Sequence, residues 1–179
     1  MSANPDNDKT GMRKLNEANL TSLYEEYYDK IARYVYTHIG DGSEAEDIAG
    51  EVFLKALESL KSYTERGIPM QAWLFRIAHN LMVDYLRKAV KRKTVSIDTV
   101  EIAGDADPAT IVEKNMELER LTKAMDQLTQ QQREVLRLRF FGELTSKETG
   151  SVLKKSDGAV REMQRAALEK LRNLLIVEQ

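Results

Sequence analysis

Five side chains within "AWLFRIAHNLMVDYLRK" at residues 72 to 88 pair cations with an amide: Arg76, His79, Asn80, Arg87 and Lys88. Arginine and lysine neutralise phosphate oxygens, and an asparagine amide sets a donor beside an acceptor, the geometry that a base edge demands. A second set, Lys155, Ser156, Arg161 and Arg165, lies at the start of the last helical run, "SDGAVREMQRAALEKLR". The N-terminal end of such a helix is the part that enters a major groove. A third set, Asp47, Glu51 and Leu54, is spaced i, i+4 and i+7. Two carboxylates and an apolar anchor then share one helix face, a mixture suited to a protein interface. None of this is catalytic chemistry. The sequence offers no paired carboxylates or phosphate loop, and two histidines with no cysteine leave no metal site, so no cofactor is expected.

Each set also has a plainer reading as solvated helix surface. On a helical wheel Leu74, Ile77, Ala78, Leu81 and Tyr85 form the buried side of the 72 to 88 stretch, with Arg76, Asn80, Val83, Arg87 and Lys91 opposite. Lys88, Arg92 and Lys93 continue the basic side, and Asp84 is the only acid from 71 to 93. Asn80 favours contact over mere solvation, because a mid-helix asparagine is a mediocre helix former. Trp73 reads as packing, Asp84 as a group able to orient a neighbouring arginine, and His79 as either a DNA contact or plain surface.

The elements that must hold these residues are helices. The 179 residues are 42% hydrophobic and 31% charged with three prolines, a composition that suits one ordinary domain or two small helical ones. No apolar run approaches a membrane span, and "MSANPDNDKT" lacks the core of a signal peptide, so a cytoplasmic protein without membrane insertion is expected. A net charge of -2 means that contact with polyanions must come from charge sorted along the chain.

Residues 1–17 are polar and aperiodic and read as a flexible leader. Leu23, Tyr27, Ile31, Tyr34, Val35 and His38 recur at helical spacing until "GDG" at 40 to 42 stops the helix. "SEAE" from Ser43 to Glu46 has capping-box spacing and predicts the start of a second helix that runs to about Ser59, with Val52 and Phe53 in the core. "YTERGIP" predicts a loop before the third helix. Residues 94–115 read as a linker, and a second helical unit, 116–179, opens with Leu118, Leu121, Met125 and Leu128. "TQQQ" and "TSKE" are two more capping boxes, and Ser156 is placed to cap a last helix whose buried stripe is Val160, Met163, Ala167, Leu171 and Leu174. A short helix, a turn and a longer helix make a helix-turn-helix. The expected fold is therefore all-α, two small domains joined by a linker.

Four segments in this order resemble the sigma-70 family of RNA polymerase sigma factors, in its extracytoplasmic-function group, over residues 18 to 175. "AEDIAGEVFLKAL" is similar to the family's polymerase-binding helix, and "RGIPMQAWLFRIAHNLMVDYLRK" to the segment that reads the minus-ten element. "LTQQQREVLRLRF" and "SDGAVREMQRAALEKLR" are similar to the parts that read the minus-thirty-five element. The resemblance implies that 18–93 is sigma region 2 and 116–179 is sigma region 4. It implies that core RNA polymerase docks on Asp47, Glu51 and Leu54, and that the 62–70 loop captures a base flipped from the melted non-template strand beside Arg76, His79, Asn80, Arg87 and Lys88. Duplex promoter DNA would meet Lys155, Ser156, Arg161 and Arg165, and an anti-sigma factor would be the inhibitory partner. The pattern is broken in places: Gly50 stands where Gln is frequent, Met70 where an aromatic is, and Leu57 where Trp is. Thr149 and Gly150 replace an aliphatic and Ala, and Lys154 replaces the turn Gly, so an altered turn is expected. The competing reading is a helix-turn-helix regulator that binds duplex DNA without polymerase, with residues 20 to 92 as a sensor or dimerisation domain.

Overall fold

A computed structural model describes residues 17–59, 68–92 and 108–177, and all elements among them are helical. They are α1 (Glu17–Ile39), α2 (Gly42–Glu58), α3 (Met70–Arg92), α4 (Pro108–Asp126), α5 (Gln130–Phe140), α6 (Ser146–Leu153) and α7 (Asp157–Val177). The leader, apart from Glu17, lies outside the described residues, as do residues 62–67 of the loop expected to capture a base.

The N-terminal unit packs α1, α2 and α3 around Ile31, Tyr34, Val35, Ala49, Val52, Leu74 and Ala78, all fully buried. Gly40 ends α1 at φ 70, a left-handed conformation that costs glycine little. The start of α2 differs from the expectation. Its N-cap is Asp41, whose carboxylate accepts from the Glu44 amide at 3.0 Å, so Ser43 lies inside the helix and the box expected at Ser43 to Glu46 is not the cap. Asp41 has the extended backbone that a cap requires, and it stands first in the chain.

In the C-terminal unit, both remaining boxes form as expected. Thr129 and Gln132 close the start of α5, and Thr145 and Glu148 close the start of α6, each pair bonding reciprocally. Helix α4 begins at Pro108, inside the expected linker, with proline at a first helical position where its missing N–H is harmless. Leu118 and Leu121 are exposed, and Ala124 of α4, with Leu128 just past its end, is what packs against Leu136, Ala167 and Leu171. Arg133 Nη1 ends this helix by donating to the carbonyls of Leu128 at 3.0 Å, Asp126 at 3.2 Å and Met125 at 3.3 Å.

The helix-turn-helix turn survives its unusual sequence. Lys154 itself takes the left-handed conformation, φ 56 and ψ 46, in the place of the usual glycine. Gly150 is what admits the turn, since a Cβ there would stand 2.5 Å from the Lys155 carbonyl oxygen. A left-handed L-residue costs about 1–2 kcal/mol, partly offset by the lower unfolded-state entropy of lysine relative to glycine. Lys154→Gly is therefore expected to stabilise the chain by about 0.5–1 kcal/mol, read as a higher urea midpoint at unchanged slope.

The two units share one core. Leu138, Leu144 and Val152 belong to the same buried cluster as the N-terminal residues, and α3 is the shared helix, with α1 and α2 on one side and α6 on the other. A single buried stripe was expected on α3. A flank beyond that stripe, Phe75 and Met82, is buried as well, because a second unit covers it. The Tyr34 and Phe75 rings meet edge to face at 5.6 Å, and the approach of the α5–α6 loop requires a glycine: a Cβ on Gly142 would lie 2.7 Å from Leu138 O and 3.0 Å from the Phe75 ring.

Candidate functional site

The three residue sets occupy three places, and the contact between the units divides one of them. On α3, Asn80, Arg87 and Lys88 are exposed, and Arg87 is paired with Asp84 one turn away. Arg76 and His79 turn inward instead. The Arg76 Nη2 donates to the Ser151 carbonyl of α6 at 2.6 Å, and its Nε is buried without a partner. The His79 Nδ1 lies 2.9 Å from the Tyr34 hydroxyl and 3.3 Å from Glu134 Oε1. The five residues expected to contact one DNA strand are thus split between solvent and the seam.

At the second place, Ser156 caps α7, its Oγ accepting from the Ala159 amide at 3.1 Å. Arg161 and Arg165 are exposed but engaged with carboxylates of their own helix, Asp157 at 2.8 Å and Glu162 and Glu169 at 2.7 and 3.0 Å. Such solvent-exposed pairs are worth at most about 1 kcal/mol each, so phosphate can displace them. Lys155 faces a cleft of about 510 Å³ between the units, lined also by His38, His79, Arg133, Glu134 and Arg137. Residues proposed for two DNA elements therefore meet inside the molecule.

The third place is open. Asp47 and Glu51 are exposed on α2, Glu51 has only a 3.8 Å contact with Lys55, and Leu54 is 63% exposed. Beside Leu54 runs an apolar groove of about 650 Å³, with Leu20, Tyr24, Phe53 and Leu57 as walls and Gly50 in its lining. A Cβ at Gly50 would meet nothing within 4 Å. Gly50→Ala is accordingly expected to stabilise α2 by about 1 kcal/mol without a clash, seen as a higher melting temperature.

Sequence reasoning missed the polar seam. Glu134, on α5, is buried; its Oε1 accepts a hydrogen bond from the Tyr34 hydroxyl, and its Oε2 lies 2.6 Å from His38 Nε2. Burial pushes this carboxyl up, but bonds from His38, His79 and Tyr34 outweigh burial and hold it well below the usual range. Burial, with the Glu134 charge, lifts the Tyr34 phenol far above its ordinary value. Lys30 pairs with Glu143 at 2.8 Å, and Gln71 donates to Glu148, the residue that also caps α6. The one available signal was a glutamate inside "REVLRLRF", beside Val135, Leu136 and Leu138, which are all buried.

Comparison with known proteins adds to this geometry. Residues 23–92 match the family described as Sigma-70 region 2, and residues 124–173 match Sigma-70, region 4. The chain is 34% identical over 155 residues to the ECF RNA polymerase sigma factor BldN of Streptomyces coelicolor, covering 86% of this chain and 59% of that protein. It is 30% identical to the ECF RNA polymerase sigma factor SigD of Mycobacterium tuberculosis, covering 82% and 72%. In fold it is similar to the sigma factor RpoE of Bartonella quintana, solved with the anti-sigma factor NepR, at TM-score 0.67 and 21% identity over 90% of this chain and 99% of that one. Among the described residues no group of three or more histidine, cysteine, aspartate or glutamate side chains is placed to hold a metal ion. Nor is any described helix long and apolar enough to cross a membrane.

Proposed function

Because the chain belongs to the sigma-70 family of RNA polymerase sigma factors, in its extracytoplasmic-function branch, we propose that it binds core RNA polymerase and directs promoter recognition and the start of transcription. The observation that carries this reading is the presence of both family regions, each on its own helical unit, in one chain. A regulator acting without polymerase needs a helix-turn-helix but has no use for region 2. The covalent chemistry stays with the polymerase, so the chain is not itself an enzyme, and it acts where the polymerase does, in the cytoplasm.

In this reading residues 18–93 form the polymerase-binding and minus-ten unit and 116–179 the minus-thirty-five unit, with 94–115 between them. The groove beside Leu54 takes an apolar segment of polymerase while Asp47 and Glu51 meet its cations, and an inhibitory anti-sigma partner covers the same surface. Asn80, Arg87 and Lys88 contact the melted strand, whose unstacking costs a few kcal/mol that phosphate contacts must offset. Arg161 and Arg165, beside the capped start of α7, reach duplex DNA.

The two units cannot serve both elements while packed together. Elements named minus ten and minus thirty-five are about 25 base pairs apart, or about 85 Å at 3.4 Å per base pair, whereas here Arg76 is hydrogen-bonded to the helix-turn-helix unit itself. Promoter binding therefore requires the seam to part, which frees Arg76, His79 and Lys155. Size-exclusion chromatography of the full chain with core polymerase tests the reading: stoichiometric co-elution is expected. Separate elution, with duplex binding retained, favours the regulator that works alone.

A further inference from the structure

Both histidines of the chain converge on one buried glutamate across the seam. His38 ends α1, His79 lies midway along α3, and Glu134 belongs to α5 of the other unit. We propose that this cluster is a proton-dependent latch: above about pH 6.5 the packed form of the two units holds up to one more proton than the parted form, so that alkali opens the molecule and a return toward that pH closes it.

Both ring nitrogens of His38 face hydrogen-bond acceptors. The His38 Nδ1 lies 3.0 Å from the Tyr34 carbonyl oxygen, which can only accept. Its other neighbour, Thr37 Oγ1 at 3.3 Å, already donates its proton to that same carbonyl at 2.7 Å, so it too must accept. Nδ1 therefore carries a hydrogen. The His38 Nε2, at 2.6 Å from Glu134 Oε2, also faces an acceptor, and a proton must lie between these two atoms. Whether it is drawn on the imidazole or on the carboxyl, the pair holds one proton beyond a neutral imidazole and an ionised carboxylate. His79 has no such need, because its Nδ1 hydrogen is satisfied by the Tyr34 oxygen in a neutral ring.

Bonds from His38, His79 and Tyr34 hold the Glu134 carboxyl well below its usual range, which agrees with a hydrogen donated to it across this contact. The other charged or titratable groups facing the cluster are Tyr34 from α1, Asp126 from α4, Arg133 and Arg137 from α5 and Lys155 from the turn before α7. Burial and the nearby Glu134 charge keep Tyr34 protonated, and the cations cannot gain a proton. The exchangeable proton thus belongs to the His38 and Glu134 pair.

The sign follows from linkage. In the parted form an imidazole in water loses its second proton near pH 6.5, and a freed Glu134 carboxyl gains one below about 4.5, so closure is fully stabilised between those two values, where both forms hold the same proton. Above about pH 6.5, closure must take up a proton, and the ratio of parted to packed chains rises up to about tenfold per pH unit. The consequence for Arg76 and Lys155 rests on the promoter reading, whereas the proton uptake does not.

The test needs no promoter and no polymerase. The chain has no cysteine, so Ser43→Cys and Asn173→Cys, on exposed positions of α2 and α7, admit a donor and an acceptor dye. Urea then separates the dyes, and the separation midpoint at each pH gives the opening constant, with circular dichroism marking the unfolding of the units. The expected result is an opening constant that rises severalfold from pH 7 to 8.5, by at most about tenfold per unit, a rise lost in His38→Gln and in Glu134→Gln but kept in His79→Gln. If one variant fails to fold, the others still decide. A flat profile in the parent chain, or a slope that survives His38→Gln, overturns the latch.

Discussion

Charge reversal of the α2 face, Asp47→Lys with Glu51→Lys and Leu54→Glu, is expected to weaken binding to core polymerase by at least about 100-fold, or about 2.7 kcal/mol. Leu54 protrudes beside an apolar groove, the setting in which one anchor side chain carries about 2 kcal/mol or more of an interface. The carboxylates add the repulsion of like charges once reversed, which costs several kcal/mol in a closed interface. Stability should hardly change, because all three side chains are exposed and the 3.8 Å contact of Glu51 with Lys55 is worth less than about 1 kcal/mol. Fluorescence anisotropy with labelled chain and core polymerase measures the first quantity, and thermal unfolding the second.

Removal of the seam glutamate, Glu134→Ala, is expected to have the larger effect on the molecule itself. It strips the acceptor from His38 Nε2 and from the Tyr34 hydroxyl at once. Breaking a buried charged pair from one side costs about 3–5 kcal/mol, because the partner is left desolvated and unpaired. That cost falls on the contact between the units more than on either unit, since Tyr34 and His38 sit in one and Glu134 in the other. Urea unfolding should therefore split into two steps, parting first and melting later, and the parting constant should rise about 100-fold or more. Glu134→Gln keeps one acceptor oxygen and should fall between the two.

Local features were readable from sequence where one residue type decides them. The boxes at Thr129 and Thr145 formed because the threonine and its partner three residues on each need the other, whatever lies elsewhere. At Asp41 and Ser43 two candidate caps stand two residues apart, and only the extended backbone of the first resolves the choice. The inward face of α3 was hidden for another reason. Phe75 and Met82 alternate with Arg76, His79 and Asn80, so the helix reads as one apolar stripe with a polar back until a second unit is brought against it. The pairing of His38 and His79 with Glu134, separated by 96 and 55 positions, is tertiary and left no periodic trace. Of the site residues, those on α2 and at the start of α7 lie where spacing put them, and Arg76, His79 and Lys155 face the other unit.

Run-off transcription on a library of genomic fragments, by core polymerase alone, with this chain, and with its Asp47→Lys/Glu51→Lys variant, tests the central claim most directly. A sigma factor gives new, discrete start sites that depend on the chain and disappear with the variant. Start sites unchanged by the chain, while it still binds duplex DNA, would contradict the account and leave residues 20 to 92 as the sensor of a regulator that works without polymerase.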